Sequence, residues 1–330
     1  MPIIAERYND ATDRQAWTQL LQKAARRNIL TRRDFLDYHG DRLEDFSLVF
    51  RDGPGGPMQG LLPGAIHPQD PSRVTCHGGS SLGGMIFKKP ASPQQTADAF
   101  QAAALVWREH GVASLSYKTT PSFFDTQPDE TDIAIVSQCA STTAKKLWQA
   151  IDTQKPLNFS SGLDREARSA SKKGFTAQWS VEGDALDAMY KMVRENLADR
   201  HEAEPLHSLA EVKTLHHTLG PASVVLLVRD ANNAPAAAAW MLRYAEDAWH
   251  PQYIASTPVG RRSNAVKLLL MTALERCRDE KVRWLSLGTS SGDGAFGVDD
   301  TLFQFKRRFG AGAFIQHFFE IEIDALIASS

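Results

Sequence analysis

Three histidines, His201, His207 and His250, carry the side chain best suited to moving a proton near neutral pH, and Tyr253 adds a phenol three residues beyond the last of them. A structural role stays open for each. Three basic groups could hold an anion: Arg165, Arg168 and Lys172; the run Gly260-Arg261-Arg262-Ser263-Asn264; and Lys306-Arg307-Arg308. The middle group follows a strand pattern and opens a helix pattern. It would therefore offer backbone N–H groups, a helix dipole and guanidinium groups to a pyrophosphate. For the other two groups a solvated charged face is an equal alternative.

Several motifs fail on context. Gly79-Ser80-Ser81-Leu82-Gly83 matches the G-x-S-x-G elbow of serine hydrolases, but Gly-Met-Ile-Phe follows where a helix must start. A Gly-rich strand close to a ligand or another backbone is the better reading. Gly292-Asp-Gly294-Ala-Phe-Gly297 has the spacing of a dinucleotide-binding turn, yet only 33 residues remain after it. A loop over a substrate pocket suits it better. His201 and His207 are six apart with Pro205 between them, so they do not form a metal-binding helix face. No metal is expected.

A length of 330 residues suggests about two domains, at ~150 residues each. Composition is that of a globular protein: 42% hydrophobic and 23% charged. A net charge of -2 gives no global field for nucleic acid or an anionic membrane. Cys76, Cys139 and Cys277 are widely spaced, which argues against a disulfide framework or zinc knuckle. The start reads as no signal peptide, and the longest apolar run, Ala236 to Leu242, is far short of the ~20 residues of a membrane span. The expected location is the cytoplasm.

Apolar spacing predicts a helix from about Asp13 to Ala25, and strands at Phe46–Phe50 and Gln59–His67. Val74–Phe87 reads as extended and Gly-rich. Ser92, Pro93 and Gln95 predict a capped helix to about His110, and Val112–Tyr117 a strand. The second half repeats that order: strands at Val224–Arg229, Ala236–Tyr244 and Gln252–Ser256, a helix over Ser263–Arg278, and a strand at Val282–Leu287. This predicts a long-period duplication of a β-β-β-α-β unit. Helices are also predicted over Asp164–Lys173, around Leu186–Leu197, and after the capping box at Ser208. The expected domains are 1–150 and 151–330, with a last strand at about 314–323 able to pair with either.

The strand order with its helix-opening phosphate turn resembles the GNAT acyltransferase fold, and the duplication resembles its FemAB-like branch. The strings that carry the likeness are Thr31-Arg-Arg-Asp-Phe-Leu-Asp-Tyr-His-Gly-Asp-Arg42, Cys76-His-Gly-Gly-Ser-Ser-Leu-Gly-Gly-Met-Ile86 and His201-Glu-Ala-Glu-Pro-Leu-His207. The most specific is Leu302-Phe-Gln-Phe-Lys-Arg-Arg-Phe-Gly310, similar to the F-K-x-x-F-G signature near the end of that family's second domain. The likeness runs over roughly residues 15 to 323. It implies an α/β (α+β) fold of two tandem GNAT-like acyl-CoA N-acyltransferase domains with mixed central sheets.

The resemblance further implies transfer of an acyl group from a CoA thioester, such as acetyl-CoA, to the amine of a small molecule or of a sugar or peptide precursor. FemAB-like ligases of peptidoglycan bridges instead take aminoacyl-tRNA, and in those the lysine of F-K-x-x-F-G lies at the acceptor site, here Lys306. A non-catalytic binding module on the same fold is a further alternative. The phosphate turn departs from the family's R/Q-x-x-G-x-G/A, because Arg261-Arg-Ser-Asn264-Ala-Val266 lacks both glycines. With no Cys or Ser triad visible, direct attack by the amine is expected. Arg261, Arg262, Ser263 and Asn264 are the expected donor contacts; His201, His207 and His250 the base or orienting groups; Lys306 the anion or oxyanion partner; and Tyr253 the acid. His77, Ser81, Gln252, Ser290 and Phe305 are the candidate substrate contacts.

Overall fold

The computed structural model describes residues 3–157, 159–201 and 203–328. They form two compact units, one running to Leu147 and resuming at Phe314, the other spanning Trp148–Ala313. No described helix is long and apolar enough to cross a membrane.

In the first unit β1 (Ile3–Arg7) precedes α1 (Asp10–Leu21), which begins earlier than its apolar stripe because the Asn9 side chain accepts from Ala11 N. A short α2 (Arg33–Leu36) leads through 3-10 turns to β2 (Leu48–Asp52). The predicted strand at Gln59–His67 is two strands, β3 (Met58–Leu62) and β4 (Gly64–His67). Pro63 divides them: lacking an N–H, it cannot continue a ladder. β5 (Asp70–Cys76) follows, and the extended reading of Val74–Phe87 holds only at its ends, since residues 77–85 form a turn and loop before the short β6 (Ile86–Phe87). Next come α3 (Pro93–Glu109), β7 (Ser114–Lys118), α4 (Thr131–Val136) and β8 (Ala140–Asp152), whose last residues belong to the second unit. The capping box at Ser92 is present, with Ser92 Oγ accepting from Gln95 N and Gln95 Oε1 from Ser92 N.

The second unit continues with α5 (Leu163–Lys172), β9 (Thr176–Ser180), α6 (Gly183–His201) and α7 (Leu209–Leu219). Then β10 (Ser223–Arg229), β11 (Pro235–Ala245) and β12 (Ala248–Ser256) form an antiparallel meander. α8 (Pro258–Arg262) and α9 (Ala265–Asp279) connect it to β13 (Trp284–Thr289), and α10 (Asp300–Arg307) follows. Strand order is β8-β13-β12-β11-β10-β9. Val224, Leu226, Val228, Ala237, Ala239, Met241 and Trp249 are packed into one core with Leu269, Leu270, Ala273 and Leu274 of α9. The alternate residues Trp240 and Tyr253 face the other way, so α9 covers only one side of the sheet.

β14 (Gly312–Glu322) and α11 (Ile323–Ala328) return to the first unit. β14 runs antiparallel to β7, completing the order β4-β5-β7-β14-β8 beside a separate β1-β2-β3-β6 sheet. Phe319 and Ile321 enter the core built by α3 residues Phe100, Ala103 and Trp107 with Val74, Leu115 and Tyr117. Both units thus follow one plan, a mixed sheet in which two strands linked by a helix run parallel: β5 with β7, and β12 with β13.

Candidate active site

The second unit's parallel pair is short. β12 and β13 meet at Ala248–Trp284 and Trp249–Leu285, and pairing then stops although β12 runs to Ser256 and β13 to Thr289. β12 also carries a bulge at Gln252: Pro251 pairs Met241 and Tyr253 pairs Trp240, leaving Gln252 as the extra residue. A bulge leaves one residue out of the ladder and re-aims its neighbours. Strand ends that separate beside a bulge free backbone groups and side chains that a continuous sheet would occupy.

His250 fills the fork. It is buried, its Nδ1 lies 3.0 Å from Ser286 Oγ, and its ring rests against Tyr244 and Trp148. Burial, with a contribution from the Lys306 charge, pushes its pKa down to about 3, so the imidazole is neutral and a weak base. Ser286 Oγ also accepts from Gly288 N at 3.2 Å. Lys306, reaching from α10, is 5% exposed and donates to Thr289 O at 2.5 Å and Gly288 O at 3.3 Å. Burial lowers its pKa to about 8, against a smaller opposing pull from Asp299. It therefore remains mostly charged at neutral pH.

Beyond the bulge, Tyr253 Oη and His207 Nδ1 are 2.8 Å apart, and Tyr253 stacks on Trp240. His207 lies in the turn between α6 and α7, held where Tyr190 Oη donates to its carbonyl at 3.1 Å. Tyr244 Oη bonds to Gln252 Oε1. Ser290 is fully buried and donates to Gln149 Oε1 at 2.6 Å, while Gln149 Nε2 donates to Phe303 O, so these residues tie β8, β13 and α10 together. Phe305 is half-buried against Phe309. The His201 side chain lies outside the described residues.

The phosphate turn has a definite form. α8 is capped by Thr257, whose Oγ1 accepts from Gly260 N, and a Cβ on Gly260 would lie 2.0 Å from Ala236 O, so glycine lets α8 rest directly on β11. Asn264 stands where the family pattern has its first glycine and adopts φ +63°, a left-handed conformation that asparagine tolerates better than most residues. Its side chain does not cap α9; Oδ1 accepts instead from Lys267 Nζ. The first N–H groups of α9 thus lack a side-chain cap. Arg262 is exposed and forms no ion pair among the described residues, and Ser263 is half-buried. Arg261 is committed elsewhere, donating to Ser256 O at 2.7 Å and Asn196 Oδ1 at 3.4 Å.

Of the sequence candidates, His207, His250, Tyr253, Gln252, Ser290, Phe305, Lys306 and Arg261–Asn264 belong to the second unit, whereas His77 and Ser81 belong to the first. There His77 is fully buried and Ser81 exposed, with Gln316 Nε2 donating to Ser81 O. The other basic groups are largely engaged: Arg168 pairs with Asp164, Arg308 with Glu166, and Arg307 donates to Ala311 O. Sequence reasoning missed Ser286, Gln149, Tyr244 and Asn196. Each is an isolated polar residue in a strand or helix, with no motif around it.

A half-open fork of parallel strands, a bulge, and a helix starting just past the strand end define a GNAT domain, and residues 158–307 match the family described as acetyltransferase (GNAT) domain. Over the whole chain the fold is similar to that of solved tandem GNAT structures. It is similar to FemX (TM-score 0.68, 10% identity, covering 96% of this chain and 97% of that one). L-PGS from Bacillus licheniformis gives a TM-score of 0.61 at 11% identity, covering 92% and 91%. A tandem GNAT protein from the clavulanic acid biosynthesis pathway gives 0.54 at 12%, covering 97% and 98%. No curated protein matches the chain in sequence.

Proposed function

We propose that the second unit transfers an acyl group from a CoA thioester to the amine of a small molecule or of a sugar or peptide precursor. The observation that carries this reading is the β12–β13 fork, with the uncapped start of α9 beyond it and Lys306 within it. The α9 N–H groups, with Arg262 and the Ser263–Asn264 turn, hold the donor's pyrophosphate. Arg261 pins the turn to β12 and α6 rather than contacting phosphate.

The amine nitrogen attacks the thioester carbonyl, and the oxyanion forms near the Lys306 ammonium. Collapse breaks the C–S bond, and the leaving thiolate takes a proton from Tyr253. His207, hydrogen-bonded to that phenol, replaces it with the proton released by the amine, so the protons balance. Neutral His250 holds Ser286 and shapes the fork. Gln252, Ser290 and Phe305 are assigned to the acceptor side, with His201 as a further orienting group. An aminoacyl-tRNA donor is the second reading, favoured by Lys306 at the lysine of F-K-x-x-F-G.

Titration calorimetry of the full chain with acetyl-CoA tests the choice. The expected result is micromolar binding weakened about tenfold or more by Arg262→Ala, the loss of a charge-assisted contact. Absence of acetyl-CoA binding, together with salt-dependent binding of aminoacyl-tRNA, would transfer the assignment to the second reading.

A further inference from the structure

The start of α9 breaks two local rules at once. Asn264 is its cap residue, and asparagine is among the strongest helix caps, yet its side chain caps nothing. Lys267 stands in the first turn, where the helix dipole favours anions and disfavours a cation. Natural chains break local rules mainly at functional or strained places.

Asn264 stands between two helices that ask opposite things of it. As the residue closing α8 it is left-handed, at φ +63°, and its N donates to Arg261 O. As a working cap of α9 it would be extended, the conformation in which a side-chain oxygen reaches the second or third N–H of the helix. Asn9 shows that alternative in the same chain: at φ -120° its Oδ1 accepts from Ala11 N, the second N–H of α1. Ser92, Ser208 and Asp299 are extended too and cap α3, α7 and α10.

Lys267 weights the choice. Its Nζ donates to Asn264 Oδ1 at 2.8 Å and to Glu166 Oε2. Glu166, on α5, also accepts from Arg308 Nη2 at 2.7 Å, and Arg308 Nε donates to Ser160 Oγ at 3.2 Å. Hydrogen bonds from Arg308 and then Lys267 hold the Glu166 carboxyl down to about 2, so this clamp is charged at neutral pH. Lys267 N and Leu268 N both donate to Asn264 O, at 3.0 and 3.2 Å. Val266 N, the counterpart of Ala11 N, is therefore the group that an Asn264 side-chain cap would take, and with Oδ1 drawn to Lys267 it does not take it.

We propose that Lys267 is a positioning residue of the donor site: by holding Asn264 Oδ1 it keeps the turn left-handed and Val266 N uncapped for a donor phosphate oxygen. The inference rests on the acyl-donor reading and adds how a turn without the family's glycine stays open. A glycine has no side chain that could close the helix start, whereas the asparagine here has one that the lysine withdraws.

Titration calorimetry with acetyl-CoA and amide hydrogen exchange at Val266, both on the full chain, test it in a double-substitution cycle. Lys267→Met removes Nζ and leaves Glu166 paired with Arg308. It should weaken acetyl-CoA binding about tenfold and slow exchange at Val266. In the Asn264→Gly background no side chain can cap and the left-handed turn costs nothing, so Lys267→Met should change binding by less than about twofold and leave Val266 exchange as it was. A tenfold loss in both backgrounds would show Lys267 acting through its own charge and would overturn the proposal. So would unchanged Val266 exchange in Lys267→Met. If the unaltered protein binds no acetyl-CoA, the donor reading fails, and Val266 exchange across the four proteins still decides whether Lys267 holds the turn.

Discussion

The two parallel strand pairs begin alike and end differently. In the first unit β5 and β7 pair over Arg73–Ser114, Val74–Leu115 and Thr75–Ser116, and the chain then folds back along the end of β7. Thr120 Oγ1 donates to Gly83 O at 2.6 Å, Lys118 Nζ to Ser80 O, and Gln316 Nε2 to both Ser81 O and Thr119 O. At that strand end the Gly-rich segment offers its own carbonyls, whereas the strand ends of the second unit carry the side chains of His250, Ser286 and Lys306. Each unit also sets a lysine against backbone carbonyls, with its pKa lowered by desolvation to about 8: half-buried Lys118 in the first, buried Lys306 in the second. One plan thus ends in hydrogen-bonded backbone in the first unit and in a fork of polar side chains in the second.

The largest expected effects test that difference. A Cβ on Gly83 would lie 2.2 Å from Lys118 O, and one on Gly260 2.0 Å from Ala236 O. Gly83→Ala and Gly260→Ala should each cost on the order of 3 kcal/mol in urea unfolding. Only Gly260→Ala, which lifts α8, should also weaken acetyl-CoA binding. Equal loss of binding in both variants would erase the functional contrast between the units.

A smaller effect sharpens the electrostatic difference. Asp125 in the first unit is pushed up to about 7 by burial, despite Arg26 Nε at 3.2 Å from Oδ2. The folded chain keeps that proton to about pH 7, while the unfolded chain releases it near pH 4. The native state binds more protons between those values, so this contribution to stability falls as pH rises from about 4 to 7. Relative to Asp125→Asn, the unaltered protein should gain on the order of 2 kcal/mol as pH drops across that window, measured by urea midpoints at each pH. A constant difference between the two proteins would contradict the assignment.

The smallest effect is one in which the units should agree. Ser92→Ala and Ser208→Ala each remove a complete capping box, at α3 and α7, and each should cost about 1 kcal/mol. A cost at one box alone would show that its helix end is held by packing instead.

Both boxes were legible because a cap is a local device, written within four residues. Main-chain breaks at Pro63 and the Asn264 turn are local too, yet their consequences are not: the β4–β5 hairpin joins its sheet through β7, where Val74 pairs with Leu115, far outside any short window. β1, α4, β8 and β9 escaped the apolar pattern. The exposed first half of β8, Ala140-Ser-Thr-Thr-Ala-Lys-Lys146, has no alternation to read. Within the site, Lys306 and the phosphate turn stand in recognisable strings. Ser286 and Gln149 do not, because a polar residue in a strand declares its role only once burial leaves it one partner. The same holds for Arg308, whose charge suggested an anion but whose guanidinium meets Glu166 at 2.7 Å.

The return of the chain at Phe314 sets a schedule. Trp148–Ala313 is one uninterrupted stretch, so the second unit holds every residue it needs before β14 leaves the ribosome. The first unit, although made earlier, lacks the strand that lies against β7 and brings Phe319 and Ile321 into its core. During synthesis it must wait with that edge unpaired through more than half of the chain, and the later-made unit is the first that can fold to completion.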